Sequence, residues 1–289
     1  MGKAAAKTGL GPTAIVAVEQ YFPANHRIIT DELAGAILPL GARVFLRLMR
    51  PSWARDWMVR TTEKAAPGLW TMMTCRKRYI DERLIESATK VGAVANLGAG
   101  FDTRLYRLPA VAHLPAWEAD QPENIEPKRI RLRQLFGAVP QHVTLVSIDF
   151  DREDLGAALT ARGCPVNVPT FFIWEAVSQY LTEPAVRAIF DFLAKSAKGS
   201  RLAFTYVRKD FLAGANLYGQ EDLYNRYAGK KKIWLFGMDP AQVADFLSSY
   251  GWRLVEDIEY SELAERYVKP TGRQLLTMPV ERVAYAERL

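Results

Sequence analysis

Cysteine and histidine are scarce in these 289 residues, and their scarcity removes whole classes of chemistry. Two cysteines, Cys75 and Cys164, cannot build a disulfide framework or a C-x-x-C metal site. The three histidines, His26, His113 and His142, are scattered, with no H-E-x-x-H spacing, so no metal centre is expected. An unbroken apolar run is missing too. The longest, Leu33 to Met49, is interrupted by Arg43 and Arg47 and contains Pro39, which excludes a membrane span. Lys3 and Lys7 precede a short apolar patch, but Glu19 follows and no small-residue cleavage pattern appears, so no signal peptide is expected. No basic stripe interleaved with aromatics marks a nucleic-acid partner. These absences leave a soluble, reduced, cytoplasmic enzyme as the expectation.

What is present suits one large folded domain: 49% hydrophobic and 24% charged residues, with a net charge of +6. Part of that charge lies in Lys128-Arg129-Arg131-Arg133 and Lys230-Lys231-Lys232, and the first group reads as the solvated face of a helix. Residues 1–12 look like a loose tail. Residues 13–75 are helical in pattern and rich in aromatics, which suggests a cap over a pocket. Helix Arg78–Lys90 then leads into alternating strands and helices, the signature of βαβ units and a mainly parallel sheet wound on both sides. The strands are read at Ala93–Leu97, Pro115–Ala119, Val143–Ile148, Thr170–Trp174, Arg201–Val207, Trp252–Tyr260 and Pro279–Glu287. Residues 208–238, polar and tyrosine-bearing, interrupt the rhythm as an insertion that could line a substrate pocket.

The chemistry gathers at the strand ends, where ligands of open α/β sheets bind. Val94–Leu108 (V-A-N-L-G-A-G-F-D-T-R-L-Y-R-L) is an apolar strand running into a glycine turn at Gly98 and Gly100. Glycine there tolerates positive φ and lets a ligand reach bare backbone. Asp120 follows about twenty residues later, the position from which a carboxylate takes both hydroxyls of a ribose. Asp149 and Phe150 follow the third strand and could hold an adenine through its amino group and ring; Glu175 follows the fourth. A third glycine is absent from Gly98-Ala99-Gly100-Phe101-Asp102-Thr103, and Asp102 would set negative charge against a pyrophosphate. Tyr227 and Lys231 match Y-x-x-x-K of short-chain reductases, but no serine lies upstream at the right distance. The pattern therefore favours S-adenosyl-L-methionine, a nucleoside without phosphate, over NAD(P). An NAD(P)-dependent reductase and a non-catalytic S-adenosyl-L-methionine-binding protein are the alternatives.

The stretches N-L-G-A-G-F-D-T-R-L-Y-R-L, W-E-A-D-Q-P-E-N-I-E-P-K and I-W-E-A-V-S-Q-Y-L-T resemble the leucine carboxyl methyltransferase family, closest to its bacterial branch that includes polyketide O-methyltransferases. A-V-E-Q-Y-F-P-A-N-H-R-I-I-T-D-E-L-A near the start and P-V-E-R-V-A-Y-A-E near the end extend the likeness over nearly the whole chain. The resemblance implies a class I methyltransferase (Rossmann-like) fold, α/β, with a seven-stranded sheet whose last strand is antiparallel. It implies an O-methyltransferase that moves a methyl group from S-adenosyl-L-methionine to a carboxylate or hydroxyl of a small-molecule or carrier-borne acceptor, releasing S-adenosyl-L-homocysteine. It further implies Arg76 as the partner of the methionine carboxylate, with Arg78 the less favoured register. Gly98 would underlie the methionine and ribose, Asp120 hold the ribose, Asp149 and Phe150 the adenine, and Glu175 stand at the fourth strand end. Two departures stand out: Ala176 follows Glu175 where the family commonly has glycine, and Asn96 stands where many methyltransferases carry an acid. A carboxylate acceptor needs no general base, whereas a hydroxyl would benefit from one. His26 is the single named candidate for that base, and Tyr180 could orient the acceptor.

Overall fold

The computed structural model describes residues 10–150, 152–229 and 232–289. Its strands are β1 (Ala93–Leu97), β2 (Ala116–Asp120), β3 (Val143–Ser147), β4 (Thr170–Trp174), β5 (Arg201–Val207), β6 (Trp252–Glu259) and β7 (Glu281–Arg288). They form one seven-stranded sheet in the order β3-β2-β1-β4-β5-β7-β6. β1 to β5 pair in parallel, and β7 runs antiparallel to both β5 and β6. The expected fold class is the observed one, with strand bounds shifted by two residues at most. The strand order reverses between β1 and β4, so the crevice outside the ends of these two strands is where this topology leaves room for a ligand.

Strands buried on both faces divide their side chains between two cores. Val94, Phe171 and Ile173 join Trp70, Tyr79 and Leu84 on one face. Ala95, Leu97, Phe172 and Trp174 join Leu159, Phe190 and Leu247 on the other. The first core is roofed by the N-terminal helices Leu10–Glu19, Ala34–Ile37, Leu40–Leu48, Ser52–Ala65 and Leu69–Ser87. Residues 1–9 of the expected tail lie outside the described residues, and Leu10–Pro12 already belong to the first helix. Glu19 is fully buried and ties this region together. Its carboxylate accepts from the Ile28 N–H (2.7 Å), the Trp70 indole (2.7 Å) and Arg273 Nη1 (2.6 Å).

Two local expectations need correction. The helix read as Arg78–Lys90 spans Leu69–Ser87, because Trp70, Cys75 and Tyr79 bury one side of it and extend it well before its first basic residues. Gly68 starts that helix at φ 81, where an added Cβ would lie 2.3 Å from the Thr277 backbone. Lys128, read as part of a solvated face, is fully buried on helix Pro122–Phe136. Its ammonium lies 2.7 Å from Glu118 Oε2 in β2, and the Tyr106 hydroxyl donates to the same oxygen at 2.7 Å. An ammonium withdrawn from water needs such a partner, and the strand supplies it from the middle of the sheet. Lys230 and Lys231 of the second basic cluster lie outside the described residues.

Candidate active site

The glycine turn closes over the end of β1 by necessity. Gly98 takes φ 80, and a Cβ there would sit 2.2 Å from Val177 Cγ2, so no other residue fits without displacing the β4 side of the crevice. The Gly98 and Ala99 N–H groups donate to the Ala119 carbonyl at 2.7 and 3.1 Å, which swings the following backbone toward Asp120. The Asp120 carboxylate accepts from the Gly100 N–H (2.5 Å), the Gln121 N–H (2.6 Å) and Asn124 Nδ2 (2.9 Å). Burial raises its pKa, and these hydrogen bonds work against that rise. The acid and the glycine turn are thus one rigid unit spanning β1 and β2.

Beside it stands a buried lattice of opposite charges. Arg76 Nε donates to Glu175 Oε1 at 2.8 Å and its Nη1 to Glu281 Oε1 at 2.7 Å, which leaves Nη2 against the Met73 sulfur at 3.2 Å. Arg104, on the short helix Arg104–Arg107 after the glycine turn, donates to Asp81 (2.7 Å), Glu175 Oε2 (2.6 Å) and Asp102. Lys77 Nζ lies 3.5 Å from Glu175 and 3.7 Å from Asp102. Burial opposes ionisation of Glu175, but Arg104, Lys77 and Arg76 outweigh it and pull its pKa down to about 2. Asp102 is held well below the usual carboxylate range against its burial, chiefly by Arg104 and Lys77. Asp102, expected to repel a pyrophosphate, is occupied in clamping Arg104.

The glycine turn, Asp120 and part of this lattice border a cavity of about 410 Å³ at the ends of β1, β2 and β4, with Arg104 and Asp81 behind its lining. Arg76, Gly98, Gly100, Asp120, Glu175 and Tyr180 all line it. Arg78 does not. Two residues further along the helix turn it roughly 200° away, where it pairs with Glu82 at 3.0 Å. His26 is also absent from the lining: it sits in an exposed one-turn helix, and its carbonyl accepts from Arg273. The structure thus sets His26 apart from this cavity, against the expectation of a general base there. Asp149 and Phe150 do not line the cavity either. They follow β3 beside Asp120, since the Ile148 N–H donates to the Asp120 carbonyl at 2.9 Å. The Asp149 N–H is taken by Glu153 at 2.8 Å, and the Phe150 ring is buried in the second core.

The rest of the lining comes from both appendages. Ile15, Leu69 and Met72 descend from the helical region, and Leu223, Arg226, Tyr227 and Trp234 come from the insertion. Tyr227 stacks on Trp234 with centroids 4.8 Å apart, and Tyr180 meets Trp234 edge-on at 6.5 Å. Lys231 of the Y-x-x-x-K match lies outside the described residues. Among the described residues, three that line the cavity carry a buried polar atom with no hydrogen-bond partner: Asn96 Nδ2, Gln179 Oε1 and Trp234 Nε1. Such atoms are costly unless a ligand or water completes them. Lys77, Arg104, Gln179, Trp234 and Glu281 are functional candidates that the sequence reading did not single out. The only signal for Glu281 was an acid inside an otherwise strand-like run.

The backbone at Ala176 suits the glycine expected at this position from the resemblance. It holds φ 58 just after β4, a conformation glycine adopts freely and alanine does not, while its N–H donates to Thr205 Oγ1 at 2.8 Å. Ala176→Gly should therefore keep the local fold and stabilise the protein or leave it unchanged, by up to about 1 kcal/mol in chemical denaturation. A loss of more than that would show that the methyl group is needed for packing.

The depressed pKa of Glu175 gives a signed pH effect. Its native value is below its unfolded one, so its contribution is complete above the unfolded value near 4.5 and is lost as pH falls toward about 2. Glu175→Gln should be less stable than the natural protein at neutral pH, and that gap should close across this acid window. A gap independent of pH would mean that Glu175 is not held ionised.

Residues 9–194, more than half of the chain, match the leucine carboxyl methyltransferase family. A protein of Mycobacterium avium (strain 104), described as a candidate S-adenosyl-L-methionine-dependent methyltransferase, is 33% identical over 204 residues, covering 69% of this chain and 67% of its own. One from Mycolicibacterium smegmatis with the same description is 28% identical over 261 residues, covering 86% and 83%. Among solved structures, a candidate methyltransferase from Thermobifida fusca aligns with a TM-score of 0.57 at 14% identity, over 81% of this chain and 88% of that one. A DUF574 family protein from Streptomyces avermitilis aligns with a TM-score of 0.54 at 15% identity, over 82% and 91%. At these identities the two structures share the fold with this chain.

Proposed function

Because the chain belongs to the leucine carboxyl methyltransferase family, and is on that ground an S-adenosyl-L-methionine-dependent methyltransferase, we propose that it is an O-methyltransferase whose acceptor is a carboxylate on an apolar body. The cofactor supplies an electrophilic methyl group when bound. The chain's residues then have to bind, orient and exclude water, since an in-line displacement is accelerated mainly by positioning.

The residues present fit the cofactor. Asp120 holds three donors on about four lone-pair sites, so one ribose hydroxyl would take the remaining Oδ2 site and the second would displace the Gly100 N–H. Arg76 offers Nη2 to the methionine carboxylate, and the alternation of Arg76, Lys77 and Arg104 with Glu175, Asp102 and Glu281 suits a zwitterionic amino-acid end. Gly98 and Gly100 present bare backbone, and Asn96 Nδ2, without a partner among the described residues, is free to donate to the cofactor. Asp149 and Phe150, beside Asp120 at the β3 end, would flank the adenine.

One observation carries the choice of acceptor. Among the described residues no histidine or cysteine lines the cavity, and its carboxylates are engaged: cations hold Glu175 and Asp102 low, Glu281 accepts from Arg76 and Tyr260, and Asp120 is assigned to the ribose. A carboxylate is already ionised at neutral pH and needs no base. Tyr180, Tyr227 and Trp234 provide a flat apolar wall for the acceptor body, and Arg226 is the cation at that end, with no ion pair among the described residues. Arg226→Ala should raise the acceptor KM about tenfold and leave cofactor affinity unchanged, the loss of one exposed charge-assisted hydrogen bond. An unaltered KM would remove Arg226 from acceptor binding.

The decisive assay pairs apolar carboxylic acids with the matching alcohols and phenols, follows S-adenosyl-L-homocysteine release, and tests the methylated product for lability to base. Base-labile esters from the acids are the expected outcome. Base-stable ethers, made only from the alcohols or phenols, would refute the carboxylate reading.

A further inference from the structure

Helix Leu40–Leu48 turns its apolar side outward. Leu40, Val44, Phe45 and Leu48 are 46–70% exposed, and only Leu46 is buried. Helix Ser52–Ala65 adds Trp53 and Trp57, one turn apart and 72% and 53% exposed. Large apolar side chains exposed together on consecutive elements mark a contact surface rather than scattered exposure.

A row of arginines borders this surface. Arg43 and Arg47, with Arg50 just beyond the helix, fall on its flank beside the outward leucines and line a second cavity of about 240 Å³ together with Gln20, Tyr21 and Glu32. No carboxylate pairs with Arg43, Arg47 or Arg50 among the described residues; Arg50 lies over the Tyr21 ring at 5.8 Å. Arg131 reaches in from helix Pro122–Phe136 to the Ala36 carbonyl, and its ionised form is disfavoured first by burial and then by the charge of Arg43. From Leu40 to Arg60 the sequence holds five arginines and one acid, Asp56. Contrary to the expectation of no basic stripe interleaved with aromatics, this stretch is one, and among the described residues Glu32 is the single acid lining the cavity against three arginines.

We propose that this face docks on an anionic phospholipid bilayer, with Leu40, Val44, Phe45, Leu48, Trp53 and Trp57 entering the acyl boundary and Arg43, Arg47 and Arg50 seating headgroup phosphates. An apolar stripe flanked by arginines, with tryptophans at its margin, is what an interfacial helix needs. No described helix is long and apolar enough to cross a membrane, so the contact is a surface one. Charge argues against two other occupants. Residues 1–9 carry Lys3 and Lys7 and no acid, and a second copy in a two-fold contact would set this arginine row near its own like. Helix Leu40–Leu48 packs on helix Leu10–Glu19, whose first turn lines the main cavity, so docking would bring the roof of that cavity to the bilayer.

The test is flotation of the full chain with vesicles of mixed phosphatidylglycerol and phosphatidylcholine, and with vesicles of phosphatidylcholine alone. Binding to the anionic vesicles only, weakened by salt, is the expected result. Arg43→Ala with Arg47→Ala should weaken it about thirtyfold, and Phe45→Ser with Trp53→Ser should do at least as much, both with unchanged melting temperature. The proposal is overturned if the natural chain floats with neither vesicle, or with both equally, or if the two double variants bind as it does. It is equally overturned if sedimentation shows a concentration-dependent dimer that Phe45→Ser dissolves, which would assign the face to a second copy. Vesicle binding is read without methyl transfer, so this outcome is independent of the acceptor assignment.

Discussion

Asp120→Ala should weaken S-adenosyl-L-methionine binding at least a hundredfold, taking a titration from saturable to undetectable at ordinary concentrations. Two ribose hydroxyls donating to one carboxylate are charge-assisted hydrogen bonds of about 1.5–3 kcal/mol each, so their joint loss is about 3–6 kcal/mol. The substitution also releases the donors that now converge on that carboxylate, Gly100 N–H, Gln121 N–H and Asn124 Nδ2, and so loosens the glycine turn itself. Asp120→Asn separates the two effects. It keeps the size of the side chain and can keep one acceptor oxygen for the turn, while the negative charge facing the ribose is gone. The expected order of affinity is natural protein, then Asn, then Ala, with the Asn variant melting close to the natural protein. Near-normal affinity in the Ala variant would refute the ribose assignment.

The largest effect on stability should come from Arg104. This guanidinium is fully buried and bonds to Asp81, Asp102, Glu175 and the Lys77 carbonyl at once. Its pKa is raised because Asp102, Glu175 and Asp81 overcome the cost of burial. Arg104→Met keeps much of the volume but strands carboxylates in a dry interior, a change that costs about 3–5 kcal/mol. Denaturant unfolding should show that loss at neutral pH. It should shrink in acid, where Glu175, freed of a major cation, protonates more readily than at its present value of about 2. A variant within about 1 kcal/mol of the natural protein would mean that Lys77 and Arg76 alone neutralise the lattice.

The contrast between these two residues shows what could be read in advance. Asp120 was legible because a strand's apolar run ends on it and it stands a fixed distance from the glycine turn, both local features of the chain. The sheet was legible for the same reason: β1, β4 and β5 are short apolar runs bounded by turn residues, and the bounds followed. Arg104 was visible only as a polar residue in the turn. Its partners are distant, Glu175 lying 71 residues away and Asp81 lying 23, and Arg76 meets Glu281 across 205 residues. No periodicity encodes a pairing of that kind. Lys128 failed in the opposite direction: a charge run on a helix is usually solvated, and only the Glu118 carboxylate in the neighbouring strand turns one member inward. His26 failed because helical pattern places a residue on a cap without saying which side of the cap faces the cavity.

Thermal melting of the natural protein with S-adenosyl-L-homocysteine or with NADP tests the central claim most directly. If the crevice between β1 and β4 is the phosphate-free nucleoside seat proposed above, the first ligand, at about a hundred times its dissociation constant, should stabilise by about 2.7 kcal/mol. For a chain of this size that is a rise of about 5–10 °C, and NADP should give none. A shift with NADP and none with S-adenosyl-L-homocysteine would contradict the account.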